Sequence, residues 1–343
     1  MIKVLIVDDS PSLRAILTEV LELAPDIRVV GAAEDPYEAR EMIKKLNPDV
    51  LTLDIEMPKM NGLSFLKNLM RLRPMPVVML STLTQQGSPA TLEALELGAI
   101  DFIAKPTTNV AAKLNAYAET LHQKIRIARQ ANLYAFRAEK GEKQAPVSQD
   151  AQFKNSAVLA LGASTGGTEA LREVLVRLPK HCPPVVIAQH IPPVFSTSFA
   201  LRMDRCSDVH VKEAEEGDVL VSGHVFIAPG DMHLKVVQKG GRLQCHLSQS
   251  EKVNRHRPSV DVLFDSLLPW AKQISAGLLT GMGSDGAAAL LRLREAGAKT
   301  LAQDEATSVV WGMPRAAVEM AAAERVVPLS KVTMELLNAV KRA

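Results

Sequence analysis

The six residues Gly162-Ala163-Ser164-Thr165-Gly166-Gly167 constrain this chain more than any other stretch. They follow the apolar run Ala157 to Leu161 and precede Glu169 to Leu175, where apolar residues recur at helical spacing. The glycines therefore fall where a buried strand turns sharply into a helix, a turn that exposes Ser164. Glycines let a backbone approach a ligand, and a helix N-terminus offers unpaired N–H groups and a positive dipole end. Both suit a dinucleotide phosphate or the oxyanion of an acyl-transfer intermediate. The stretch also fits G-x-S-x-G, the nucleophile elbow, although a strand-to-helix turn without chemistry has the same glycines.

With 343 residues, 47% of them hydrophobic and 23% charged, the chain is long enough for two domains, each with its own core. A formal net charge of +2 singles out no polyanion as partner. Three scattered cysteines without a C-x-x-C pair indicate neither a disulfide framework nor a cysteine metal site. The N-terminus reaches Asp8 and Asp9 too early for a secretory segment, and no apolar run approaches the roughly 18 residues of a membrane span. The expectation is a soluble, cytoplasmic protein without membrane insertion.

From residue 1 to about 125, the apolar runs Ile2–Val7, Ile27–Ala32, Val50–Leu53, Val77–Leu80 and Phe102–Ala104 alternate with amphipathic segments of helical period. This predicts a parallel sheet with helices on both faces and ligands at the carboxyl ends of the strands. The polar residues gather there: Asp8 and Asp9 after the first strand, Asp54 after the third, Ser81 after the fourth, Lys105 after the fifth. Three carboxylates and an ammonium at one edge suit Mg2+, a hard cation that keeps waters for a phosphoryl group. Asp54 would be the phosphoryl acceptor, with Lys105 neutralising charge and the Ser81 hydroxyl bonding a phosphate oxygen. Any one of these aspartates alone would be an ordinary cap or turn residue.

These residues, with Leu53-Asp54-Ile55-Glu56-Met57-Pro58, Gly62 and Lys105-Pro106, resemble the receiver domain of bacterial response regulators, a flavodoxin-like fold. The resemblance implies that a partner histidine kinase phosphorylates Asp54, and that Asp9, Asp54 and the Glu56 carbonyl touch Mg2+ while Asp8 acts mainly through water. It also implies a cis-proline junction at Lys105-Pro106, and a signalling pair in Ser81 and Phe102.

Leu114, Tyr117, Leu121 and Ile125 form a helical stripe that could close this domain. Beyond it Lys124, Arg126, Arg129 and Arg137 make a basic face. Without aromatic interleaving this reads as a solvated helix surface rather than a nucleic-acid site. Residues 126–155 form the connection, with linker composition from Ala138 to Gln152.

From about 156 to 343 the strand and helix rhythm resumes as a doubly wound α/β domain. Val185–Ala188 ends in Gln189-His190, Phe195–Met203 reads as a helix, and Ile274–Leu279 runs into Gly281-Met282-Gly283-Ser284-Asp285-Gly286 and the helical Ala287–Glu295. Thr300–Gln303 and Arg325–Val327 complete the sheet. Between Val209 and Ser248 the rhythm breaks: Val225–Ile227 and Leu234–Val237, separated by Pro229-Gly230-Asp231, predict an inserted β-hairpin. A dinucleotide fold would place an acid at the end of the second strand, where Gln189 and His190 stand instead. A nucleophilic serine needs a histidine within reach and a carboxylate to orient it, roles open to His190 and Asp285. Asp285 just before a helix is also an ordinary N-cap candidate.

Together the stretches 162–167, Ala188-Gln189-His190, Ile227-Ala228-Pro229-Gly230 and 279–286 resemble the catalytic domain of the chemotaxis protein-glutamate methylesterases. The resemblance covers both domains in that family's order. It implies a triad of Ser164, His190 and Asp285, an oxyanion hole with the Met282 N–H, and a site lined by Thr165. It implies hydrolysis of methyl-glutamate esters on chemoreceptors with release of methanol, deamidation of specific receptor glutamines to glutamate, and no cofactor at the esterase site. The unphosphorylated receiver should then partly cover the catalytic cleft. A nucleotide-binding oxidoreductase and a DNA-binding output domain are the rival readings.

Overall fold

Apolar runs that can be buried on both faces, each followed by an amphipathic segment, organise the chain twice over. The computed structural model describes residues 1–81, 88–105, 114–135, 152–154 and 156–342. The chain divides into two compact units, Met1–Leu133 and Tyr134–Ala343.

In the first unit the elements are β1 (Ile2–Val7), α1 (Pro11–Glu22), β2 (Ile27–Ala33), α2 (Pro36–Leu46), β3 (Val50–Asp54), α3 (Gly62–Leu72), β4 (Val77–Ser81), α4 (Ser88–Glu96), β5 (Asp101–Ala104) and α5 (Leu114–Gln130). The strands pair in parallel in the order β2-β1-β3-β4-β5. Every residue of β3 and β4 is buried, as parallel strands covered on both faces require. Ser10 and Asp35, each directly before a proline, cap α1 and α2 with their side-chain oxygens. The order of connection reverses between β1 and β3, which opens the crevice that Asp8 and Asp54 enter.

Helix α5 buries Leu121 and Ile125 and continues past them with Ile127 and Ala128 also buried. Its basic residues are not merely solvated. Lys124, Arg126 and Arg129 pair with Asp101, Asp26 and Asp49 of the same unit at 2.6, 2.7 and 3.3 Å. Pro106, Arg137 and residues 138–151 of the expected linker lie outside the described residues.

The second unit contains β6 (Val158–Ala163), α6 (Gly167–Leu175), β7 (Val185–Gln189), α7 (Pro193–Cys206), β8 (His210–Glu213), β9 (His224–Ile227), β10 (His233–Lys239), β11 (Arg242–Ser248), α8 (Val260–Ser266), β12 (Ile274–Leu278), α9 (Ala287–Glu295), β13 (Lys299–Gln303), α10 (Met313–Glu319), β14 (Arg325–Val327) and α11 (Leu329–Asn338). Seven strands pair in parallel in the order β14-β13-β12-β6-β7-β9-β8. Chain direction across the sheet reverses between β6 and β12, so the loops after β6, β7 and β12 share one crevice. Phe195 and Phe199 of α7 and Phe264 of α8 are among the largest fully buried side chains, each contributing about 1.5–3 kcal/mol of transfer free energy.

The expected hairpin between Val225–Ile227 and Leu234–Val237 is corrected. Strand β9 lies in the large sheet between β7 and β8, with Val225, Phe226 and Ile227 all buried. The hairpin is β10 with β11. Its turn is Gly240-Gly241, whose φ values of 58° and 76° supply the left-handed pair that a two-residue hairpin turn demands. Gly230 serves a close approach instead, since a Cβ there would lie 2.4 Å from the Pro193 nitrogen. No described helix is long and apolar enough to cross a membrane.

Candidate functional site

At the receiver-like edge, Asp8 and Asp54 are buried and Asp9 is exposed, and one carboxylate oxygen from each lies within 4.8 Å of the others. Lys105 Nζ stands 2.7 Å from Asp54 Oδ2 and 3.3 Å from Asp8 Oδ2. Neither oxygen gains a well-directed hydrogen bond. Two buried carboxylate oxygens whose one partner among the described residues is the Lys105 ammonium, beside a third, solvent-facing carboxylate, form a hard-oxygen donor set that fits a divalent cation. Burial pushes the Asp54 carboxyl up to about 6; the Lys105 ammonium opposes this rise and the Asp8 charge adds to it. The Glu56 N–H donates to Asp54 Oδ1 at 3.3 Å, which brings the Glu56 backbone beside Asp54. Ser81 ends β4 with its buried hydroxyl 2.7 Å from that of Thr91 on α4, and Phe102 is buried in β5 with the Lys124 ammonium 5.7 Å from its ring centre. The Lys105–Pro106 junction lies outside the described residues.

In the second unit Ala163 pairs with Gln189 in the register of β6 and β7. Ser164 and His190 are the next residues of adjacent parallel strands, and the His190 N–H donates to the Ala163 carbonyl at 3.1 Å. The buried Gln189 amide, standing where a dinucleotide fold would need an acid, donates to the Ser164 carbonyl at 2.9 Å and so ties the two strand ends together. Thr280, just past β12, accepts the Ser164 N–H on its carbonyl at 3.0 Å and donates its hydroxyl to the Thr165 carbonyl at 3.0 Å. Gly166 closes the turn at φ 76° and starts α6 without a side-chain cap. Gly281 abuts Ser164 so tightly that a Cβ there would lie 2.7 Å from Ser164 Cβ. Among the described residues the N–H groups of Thr165 and Met282 donate to no protein acceptor. They flank Ser164, one next in the chain and one next to Gly281.

His190 Nε2 lies 2.8 Å from Asp285 Oδ2, with the two side chains 7% and 2% exposed. Its other nitrogen, Nδ1, is buried and has no hydrogen bond among the described residues. Asp285 does not cap the helix that follows it; Gly286 occupies that position. Its carboxylate reaches the start of α8, accepting from the Val260 N–H at 2.7 Å, the Ser259 hydroxyl at 2.7 Å and the Asn254 amide at 2.8 Å. Burial alone would raise its pKa, but His190, Asn254 and Val260 outweigh that and hold the carboxyl well below the usual carboxylate range. An ionised carboxylate thus engages one imidazole nitrogen and leaves the other without a hydrogen bond among the described residues, on a strand end adjacent to the half-buried serine turn.

Asn254, Ser259 and His256 join the site although no motif contains them. His256 stacks on His190, ring centres 3.7 Å apart and planes 9° from parallel. All three residues stand between the hairpin and α8 in a polar stretch without periodicity, so no sequence signal marked them.

Residues 159–336 match the CheB methylesterase family, and residues 4–115 match the response regulator receiver domain. The chain is 54% identical to a protein-glutamate methylesterase/protein-glutamine glutaminase 2 of Saccharophagus degradans, over 98% of each chain. It is 51% identical to the protein of the same name from Pseudomonas aeruginosa, over 99% of this chain and 97% of that one. The crystal structure of the Thermotoga maritima CheB methylesterase catalytic domain matches 54% of this chain and 98% of its own, at 38% identity and a TM-score of 0.52. With one family spanning the serine unit, the receiver family preceding it, and relatives more than half identical from end to end, this chain belongs to the CheB methylesterase family.

Proposed function

We propose that this chain is a phosphorylation-regulated protein-glutamate methylesterase and protein-glutamine glutaminase of chemotaxis adaptation. It would act in the cytoplasm on methylated chemoreceptors and take its phosphoryl group from a partner histidine kinase. The observation that carries the catalytic reading is the His190–Asp285 pair, which leaves Nδ1 unengaged at the strand end next to Ser164.

Ser164 Oγ attacks the ester or amide carbonyl while His190 Nδ1 takes its proton. The N–H groups of Thr165 and Met282 receive the oxyanion, whose negative charge develops only as the carbonyl becomes tetrahedral. His190 returns the proton to the departing methanol or ammonia. Water then enters, loses a proton to the same nitrogen, and cleaves the acyl-enzyme to leave glutamate. Asp285 remains a carboxylate throughout, holding the ring and stabilising the imidazolium.

In the receiver, Asp54 accepts the phosphoryl group as a nucleophilic carboxylate, and Lys105 neutralises charge on it. Asp9, Asp54 and the Glu56 carbonyl would hold Mg2+, with Asp8 beside them. Bound there, the ion supplies charge neutralisation to the phosphoryl oxygens. Ser81 exchanges its Thr91 partner for a phosphoryl oxygen, and phosphorylation relieves the receiver's restraint on the esterase. Loss of methyl release in a folded Ser164→Ala variant tests the catalytic half; release near the wild-type rate would overturn it.

A further inference from the structure

We propose that His256 is a positioning residue of the esterase site, holding the plane of the His190 ring so that Nδ1 points at Ser164. The proposal rests on the reading of His190 as general base. A hydrogen bond at Nε2 constrains the imidazole only in part, because rotation about Cβ–Cγ displaces Nε2 less than it displaces Nδ1. The Asp285 bond therefore sets where the ring is but only weakly how it tilts. A flat partner on the ring face sets the tilt directly, and His256 is such a partner at 3.7 Å and 9°.

The surrounding loop is built to hold His256 there. Val253 and His256 close a two-residue turn with reciprocal backbone hydrogen bonds of 3.1 and 2.9 Å. Its central residues, Asn254 and Arg255, both take left-handed backbone at φ 51° and 68° without a glycine between them. Asn254 anchors the turn: its Nδ2 donates to Asp285 Oδ1 at 2.8 Å and to the buried Asp261 Oδ2 at 2.6 Å. On the other side Arg257 bonds Asp231 and the carbonyls of Gln249 and Ser250. One short turn thus touches the acid through Asn254 and the base through His256, fixing the two as a unit.

The test uses the full chain and methylated chemoreceptor membranes, with kcat and KM for methanol release measured separately. Unfolding is followed by tryptophan emission, since Trp270 and Trp311 both belong to this unit. His256→Leu keeps bulk without a flat face. It should lower kcat about 10- to 100-fold, the scale of a misplaced catalytic group, with KM within about two-fold. His256→Phe restores a ring face and should recover most of that loss. Wild-type kcat in His256→Leu, an effect on KM alone, or equal losses in the Leu and Phe variants would overturn the proposal. Should His256→Leu not fold, His256→Gln against His256→Phe decides by the same criteria. Ser164→Ala in the same assay separates the two readings. If it is active, the nucleophile assignment has failed and this proposal with it. If it is silent while His256→Leu is fully active, only the role of His256 is overturned.

Discussion

His190 and Asp285 meet at 2.8 Å through Nε2 and Oδ2, although 95 positions separate them in the chain. The contact engages Nε2 and leaves Nδ1 without a hydrogen bond among the described residues. It also places Asp285 where Ser259, Val260 and Asn254 keep it ionised.

Asp285→Asn should remove the charge that selects the histidine tautomer while preserving shape. We expect methyl release to fall about 10^4-fold, the loss seen when a triad carboxylate becomes an amide. Steady-state methanol release checks this, and a loss under ten-fold would place the acid elsewhere.

The same variant carries a pH signature. The folded pKa of Asp285 is depressed, so its contribution to stability is complete above the unfolded value of about 3.9 and is lost as pH falls below it toward the folded value. Wild type should exceed Asp285→Asn by about 1.5–3 kcal/mol at neutral pH, the scale of hydrogen bonds made to a charged group. The gap should hold to about pH 4.5 and narrow in stronger acid. Urea unfolding followed by tryptophan emission across this range measures it.

Gly281→Ala should impair catalysis with little effect on folding elsewhere. The new methyl carbon would sit 2.7 Å from Ser164 Cβ and 2.5 Å from Met313 Sδ. The sulfur can yield, but the serine turn is held by Thr280 and Gln189. A displaced nucleophile predicts a drop in kcat of about 10^2-fold, with circular dichroism unchanged.

In the receiver, Asp54→Asn should abolish phosphoryl transfer from a small phosphodonor, and chelation of divalent cations should do the same to wild type. The convergence of Asp8, Asp9 and Asp54 oxygens within 4.8 Å of one another is the reason to expect the second effect. Incorporation of hydroxylamine-sensitive phosphate reads both, and undiminished labelling of Asp54→Asn would reassign the acceptor.

Much of this was legible in the sequence because parallel strands buried on both faces announce themselves as apolar runs, and the residue after each run lands at the crevice. Asp54 ends such a strand, and Ser164, His190 and Lys105 each directly follow one. Asp285 was ambiguous because an Asp before a helix is usually a cap. Only the fold brings it to the start of α8 rather than its own helix. Pro229-Gly230-Asp231 looked like a hairpin turn, but Gly230 is there to let β9's exit pass Pro193, a tertiary approach invisible to local pattern. The turn at Asn254-Arg255 lacks the glycine that marks such turns, so its hold on His190 and Asp285 emerges only in three dimensions.

Methanol release from methylated chemoreceptor membranes, by wild type, Ser164→Ala and Asp54→Asn, with and without a small phosphodonor, tests the central claim most directly. The account predicts release that requires Ser164 and that rises with phosphodonor only when Asp54 is present. Release by Ser164→Ala at the wild-type rate, or stimulation of Asp54→Asn by phosphodonor, would contradict it.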